Sequence, residues 1–199
     1  IEGRGFDITP DRSASGWQSD GSLWRIQAGV DFPVYEAASG DVLVGGVWLH
    51  HGRGYADVDS FAGSGTIDTT GSGVGASLTY YAQNGFYVDG QVQGTWYQTD
   101  IWSDTLNMVE ADGNDGFGWS ASVEVGRSFD IAYEWSVTPQ AQLIYSSVDF
   151  DDFTDGMGAG VRLLRGDSLV GRLGISLDHE TTWQSASGDT RRLQTYGLV

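Results

Sequence analysis

The stretch "GFYVDGQVQGTWYQTD", residues 85–100, alternates apolar and polar side chains with almost no interruption. Phe86, Val88, Gly90, Val92, Gly94 and Trp96 fall on one side of an extended chain. Tyr87, Asp89, Gln91, Gln93, Thr95 and Tyr97 fall on the other. Successive side chains of a strand point to opposite faces, so this is an amphipathic strand. It permits two architectures. In a soluble sandwich the apolar face points inward, whereas in a membrane barrel it faces lipid and the polar face lines the lumen.

The same pattern recurs along the chain. "SLWRIQAGVDF" sets Trp24, Ile26, Ala28, Val30 and Phe32 against Arg25, Gln27, Gly29 and Asp31. "GSGVGASLTYYAQ", "GFGWSASVEVGRSF", "WSVTPQAQLIYSSVDF" and "SLVGRLGISLD" divide likewise, and "NG" at 84–85 marks a hairpin between two of these runs. "IEGRGFDI" and "RRLQTYGLV" are strand candidates at the two ends, the first four residues being either native strand or a protease-site remnant. "DVLVGGVWLHHGRGYADV" is an apolar run whose facing the pattern leaves open. The expectation is an all-β, antiparallel chain of about nine strands and one domain over 1–199. Short connections such as "AQNGF" and "FDIAYEW" alternate with longer acidic ones such as "WSDTLNMVEADGNDG" and "FDDFTDGMGAG". Outer-membrane barrels have that asymmetry of short periplasmic turns and longer external loops.

Composition then bears on the choice of architecture. Gly numbers 30, Trp 8 and Tyr 9, against only 3 Pro. The net charge is −17 and all 10 basic residues are scattered Arg, which leaves no basic patch for nucleic acid. Cysteine is absent, so disulfides and thiolate metal sites are excluded. No apolar run of about 18 residues exists, which speaks against a spanning helix but not against barrel strands. No secretory leader is visible, which fits a processed or excised piece. The apolar faces are rich in Gly and Ala, which fill a sandwich core poorly. Large aromatics (Trp24, Trp96, Trp119, Trp135) sit near strand ends, as interface girdles require. These features favour an outer-membrane barrel over a soluble β-sandwich.

Taken together, "SLWRIQAGVDF", "GFYVDGQVQ", "SASVEVGRSF", "TPQAQLIYSSVDFDDFTD" and "SLVGRLGISLD" resemble the C-terminal translocator β-domain of the autotransporter (type V secretion) family, in family order and spacing. The resemblance implies an antiparallel transmembrane β-barrel of about 12 strands in a bacterial outer membrane. It implies no enzymatic activity, export of an N-terminal passenger to the cell surface, and anchorage there. Implied partners are outer-membrane lipid, the protein's own passenger and pore helix, and the barrel-assembly machinery, with a monomeric barrel. The family's pore helix and terminal aromatic strand are not in this sequence. The domain is therefore expected to be incomplete, with about three strands following Val199.

Eleven polar-face residues are expected to line the pore: Arg25, Gln27, Asp31, Asp89, Gln91, Gln93, Glu124, Gln140, Gln142, Arg172 and Asp178. They read as a wetted wall rather than a chemical site, and no cofactor, metal or catalytic residue is assigned. His50–His51 and Asp178–His179–Glu180 place neighbours on opposite faces, so neither run chelates as a unit. Asp149, Asp151, Asp152 and Asp155 loosely resemble a calcium loop but lack its Gly and bidentate Glu, and read as a solvated acidic loop. The competing assignments are another outer-membrane barrel of porin or adhesin type, and a soluble glycan-binding β-sandwich.

Overall fold

A computed structural model describes residues 2–8, 18–61, 63–184 and 190–198. The polar segment at 9–17 between the first two strands lies outside them. Among the described residues there are only strands and their connections: β1 (Glu2–Ile8), β2 (Gln18–Glu36), β3 (Val42–Ser60), β4 (Gly63–Tyr81), β5 (Phe86–Ser103), β6 (Met108–Arg127), β7 (Phe129–Ala132), β8 (Trp135–Phe150), β9 (Phe153–Thr154), β10 (Gly160–Val161), β11 (Gly166–Gln184) and β12 (Thr190–Leu198).

Each long strand pairs antiparallel with the next in sequence, in the order β1-β2-β3-β4-β5-β6-β8-β11-β12. This meander matches the nine expected strands. β7 also pairs with β8, in the register that β6 sets. It is a continuation of β6 beyond Ser128, whose N–H is drawn away to the carbonyl of Gly85 at 2.9 Å. β9 and β10 form a separate two-stranded ribbon in the connection to β11.

Three connections share one turn. In Ala37–Gly40, Ala82–Gly85 and Asp155–Gly158, the glycine N–H reaches the carbonyl three residues back, at 2.8, 3.1 and 3.0 Å. Gly40, Gly85 and Gly158 hold φ of 86°, 79° and 88°, a left-handed conformation that costs glycine little. The Asp41 carboxylate ties two of these turns together by accepting the N–H of Gln83 at 3.0 Å and the Ser39 hydroxyl at 3.0 Å. Those bonds, the Gln83 N–H first, hold its carboxyl below the usual aspartate range.

The alternation of long and short connections is only partly as expected. "WSDTLNMVEADGNDG" is not a long loop, because β5 runs to Ser103 and β6 begins at Met108. β3 and β4 likewise pair as far as Ser60 and Gly63. Antiparallel pairing satisfies backbone groups that a loop would leave to water, and the acidic side chains remain exposed on a protruding hairpin. Among the described connections, only 151–165 is long.

The register fixes which residues share a face. Val30, Val47, Ala76, Val92, Ala121, Tyr145 and Leu169 form one continuous cross-strand row. Beside it, Asp31, Gly46, Ser77, Gln91, Ser122, Ile144 and Val170 form a row on the opposite face. The run in β3 is thereby resolved: Val44, Gly46, Trp48 and His50 stand with the polar set, while Leu43, Val47, Leu49 and His51 stand with the apolar set.

Side-chain contacts tell which face is concave. On the polar face, side chains meet across one or two intervening strands. Arg25 of β2 donates to Gln93 Oε1 of β5 at 3.3 Å, His50 of β3 meets Thr95 of β5 at 2.9 Å, and the Tyr87 hydroxyl of β5 comes within 3.3 Å of the Gln140 side-chain amide of β8. The apolar face has ring contacts between adjacent strands: Trp24–His51, Trp96–Phe117, Trp119–Tyr145 and Trp135–His179. Side chains converge only inside a curve, so the sheet curls as a half-barrel with its polar face inward.

No second layer covers the apolar face. Ala111, at 6 % exposure, is the one buried apolar residue among those described, while Leu173 is 88 % exposed and Val92 53 %. A sandwich would have buried them. The outward apolar belt is bordered by Trp24, Trp96, Trp119 and Tyr145 towards the protruding hairpins. Tyr35, Tyr80, Phe86 and Trp135 border it towards the short turns.

Nitroxide labels at Val92, Leu143 and Leu173 are therefore expected to relax with lipid-soluble oxygen and to be shielded from a water-soluble relaxer. Labels at Gln91, Gln93 and Gln142 are expected to show the reverse. Shielding of the apolar set from both agents would mean that protein, not lipid, covers it. Separately, the Asp41 carboxyl is expected to titrate below an ordinary aspartate by NMR. Its stabilising contribution is present above the unfolded-state value and lost as pH falls through the depressed one; an unshifted midpoint would contradict the turn geometry.

Candidate functional site: the polar concave wall

All eleven residues expected on the polar side share the concave face. The register also brings several of them together. Thr79, Asp89, Glu124, Gln142 and Arg172 form one row across five strands. Two carboxylates thus stand directly opposite each other, where they would repel without partners. Each has hydroxyl donors instead. Thr79 donates to Asp89 at 2.6 Å, Gln91 Nε2 to Asp89 at 2.8 Å, and the Tyr87 hydroxyl to Glu124 at 2.6 Å. Nearer the protruding hairpins, Arg25 donates to Gln27 Oε1 at 2.9 Å as well as to Gln93. Asp178, near the turn end, accepts the Ser176 hydroxyl at 2.8 Å.

The wall also holds residues outside that set of eleven. His50, Thr95, Thr99 and Asn114 are buried on it, and Tyr81, Tyr87, Tyr97, Trp48 and Phe150 supply its bulk. Tyr87 and Tyr97 were legible, since they lie in the polar phase of residues 85–100. His50 was hidden in the run of unassigned facing.

These rings lie flat because a glycine faces them on a neighbouring strand. A Cβ on Gly75 would sit 2.2 Å from the Trp48 ring, one on Gly116 2.3 Å from Phe150, and one on Gly126 2.5 Å from Tyr87. A Cβ on Gly71 or on Gly118 would likewise sit 3.0 Å from the Tyr97 ring. Glycine thus brings bulky side chains onto the wall instead of into the lumen.

The pairs singled out as alternatives fall apart as their spacing implied. His50 bonds Thr95 inside, while His51 Nδ1 meets Ser72 Oγ at 2.8 Å outside. Asp178 faces inward and His179 outward, where its ring lies 4.5 Å from that of Trp135 and its Nε2 3.8 Å from Glu134. In the acidic loop, Asp149 pairs with Arg165 and Asp152 with Arg162, each at 3.1 Å. Asp155 caps its own turn by accepting the N–H groups of Met157 and Ala159 at 3.0 and 2.7 Å. Among the described residues, no three His, Asp or Glu side chains are arranged to hold a metal ion.

A meander of long, staggered strands, apolar outside and hydrogen-bonded across a polar inside, is the wall of a membrane barrel. Residues 3–199 match the family profile described as autotransporter beta-domain. The chain belongs to the autotransporter β-domain family. It is 38% identical over 198 residues to the adhesin BmaC autotransporter of Brucella suis biovar 1 (strain 1330), covering 100% of this chain and 6% of that protein. It is 30% identical over 187 residues to the pertactin autotransporter of Bordetella bronchiseptica (strain ATCC BAA-588 / NCTC 13252 / RB50), covering 88% of this chain and 19% of that one. The chain therefore spans a small part of the curated relatives it matches. Among solved structures, the beta domain of the Bordetella autotransporter BrkA superposes with a TM-score of 0.68 at 20% identity, covering 99% of this chain and 77% of that one. The transport unit of AIDA-I from Escherichia coli gives 0.66 at 15% identity, covering 98% and 68%. The half-barrel is thus an autotransporter β-domain, with the fold of the BrkA beta domain and the AIDA-I transport unit.

Replacing Gly75 by Leu in this β-domain is expected to lower barrel stability by ~1–3 kcal/mol through collision with the Trp48 ring. In combination with Trp48→Ala, the loss is expected to be smaller than the sum of the two single effects, measured as heat-modifiable gel migration against urea. Strict additivity would show that ring and glycine do not share the space.

Proposed function

We propose that the concave wall of this β-domain lines the channel through which a covalently linked N-terminal passenger reaches the cell surface. Its lining is the eleven residues from Arg25 to Asp178, joined by Tyr87, Thr95 and Tyr97. The observation that carries this reading is the set of contacts that skip one or two strands, found on the polar face. A wetted wall on which acids such as Asp89 and Glu124 already accept local hydrogen bonds offers an unfolded chain a surface to slide over without being held.

The same reading places the domain in a bacterial outer membrane as a monomeric anchor inserted by the barrel-assembly machinery, with no enzymatic step and no cofactor. It also calls for closure. In hydrocarbon the free edges of β1 and β12 would leave unpaired N–H and C=O groups, so further strands must join them. By family likeness about three strands beyond Val199 fill the gap, and a pore helix lies upstream.

Surface display tests the function. In the passenger-bearing protein, Val92→Arg and Leu173→Arg are expected to block assembly and display, because Arg on the lipid face near the midplane costs ~2–4 kcal/mol. Gln91→Arg is expected to preserve assembly. Equal tolerance at all three positions in a protease-shaving assay on intact cells would remove the lipid-facing assignment. Closure has its own check. Residues 1–199 alone are expected to stay protease-sensitive in detergent, whereas the segment extended beyond Val199 is expected to give a heat-modifiable, resistant band. A resistant 199-residue product would mean that the sheet closes on itself.

A further inference from the structure

Arg127 is the last outward side chain of β6, and two contacts hold it in place. Its Nε donates to the Asn84 carbonyl at 3.3 Å, and its guanidinium carbon stands 5.1 Å over the centre of the Phe129 ring. Both contacts leave the outer edge of the guanidinium open, because a ring stacks on its face and the carbonyl takes only the Nε–H. The side chain is exposed. Arg53, Arg162 and Arg165 each pair with a carboxylate, whereas among the described residues none pairs with Arg127. A chain with 27 acidic and 10 basic residues thus fixes this guanidinium without giving it an anion.

Its height on the sheet decides what surrounds it. Trp96 and Phe86, which border the outward apolar belt on β5, pair with Phe117 and Arg127 of β6. From Trp96 to Phe86, a strand advancing ~3.3 Å per residue at ~40° tilt descends roughly 25 Å along the barrel axis, the full height of a lipid-facing band. Arg127 therefore stands where hydrocarbon gives way to headgroups, on the side of the short turns. Towards the belt, the next outward residues of its strand are Val125 and Val123, both exposed. Charge and apolar track form one continuous surface.

We infer that Arg127 is a binding site for the phosphate of a membrane phospholipid, in the leaflet that meets the short turns. A phosphodiester is the anion that this level of a bilayer supplies, and a planar guanidinium offers it two parallel N–H donors. The acyl chains of the same molecule run along Val125 and Val123, which makes the source a lipid and not free phosphate. Phe129 sets the plane of the guanidinium, and Asn84 ties it to the neighbouring turn. The contact pins the depth of β6: displacement one way drags the charge into hydrocarbon, and displacement the other way leaves Val125 in water. This rests on the outer-membrane placement proposed above and is independent of passenger export.

The test uses the full-length, passenger-bearing protein, extracted from membranes and washed in mild detergent. Phosphatidylethanolamine and phosphatidylglycerol that stay bound are counted by mass spectrometry. Arg127→Gln is expected to retain several-fold less phospholipid than the unsubstituted protein while its heat-modifiable band is kept. Phe129→Leu, which leaves the charge but removes the ring, is expected to lose lipid in the same direction. Arg53→Gln, on the opposite side of the belt, is expected to retain the full amount. Equal retention by folded Arg127→Gln and the unsubstituted protein would overturn the inference, as would an equal loss from Arg53→Gln. Millimolar inorganic phosphate is expected to leave the lipid in place; displacement by it would mean a free-anion site and overturn the lipid assignment. If Arg127→Gln does not fold, the Phe129→Leu comparison decides. An unsubstituted protein that fails to sediment with outer membranes would remove the placement itself, a result distinct from normal insertion with lipid counts indifferent to Arg127.

Discussion

Strand register is the constraint on which the rest of this half-barrel depends. Side chains have a period of two, so a slip of one residue between any neighbours would exchange lipid-facing and inward-facing sets for the whole strand. The turns hold it. Gly40 and Gly85 close loops of fixed length, and Asp41 bonds one turn to the next through Gln83. Every pairing on the concave wall, from Asp89 opposite Glu124 to Arg25 reaching Gln93, exists only in that register.

A curled sheet makes its two faces unequal. On the convex side neighbouring side chains diverge, so Trp96 reaches Phe117 and no further. On the concave side they crowd, and the sequence answers with glycine. The wall can therefore be both aromatic and smooth. The carboxylates of Asp89 and Glu124 are not free charges in a pore but acceptors in local bonds from Thr79, Tyr87 and Gln91. The same crowding leaves some buried polar atoms, such as Nδ1 of His50 and Nε1 of Trp48, without a protein partner.

The nine-strand meander and the two-faced pattern were legible because alternation is written residue by residue, and all eleven polar-face residues share one side. The facing of the β3 run was not legible. Val44 and Trp48 on the inner side are as apolar as Val47 and Leu49 on the outer, and only pairing to Arg25 and Gln27 in β2 assigns them. The acidic run after Trp102 was misleading for a related reason. Composition reads "ADGNDG" as loop, yet the strand persists through a bulge at Asp112–Gly113: Ala111 and Asn114 are buried, Asp112 and Asp115 stay exposed, and the Gly113 N–H bonds the Asp100 carboxylate. His50 could not have been placed from sequence at all, since its partner Thr95 lies two strands away.

The apolar belt does not follow the hydrogen-bonded rows. On the row that begins at Val30, the residue in β2 stands in the middle of its belt, whereas Leu169 in β11 stands at the edge of its own. Each strand is thus displaced along its axis relative to the last, and the displacement accumulates around the curve. Strands that complete the circle inherit this sum as a fixed phase: their own greasy segment has to begin where the spiral has arrived, not where it started. A hairpin gained or lost anywhere in the meander would leave the seam out of step by two strands' worth of climb, so the number of strands and the placement of every belt are a single inherited quantity.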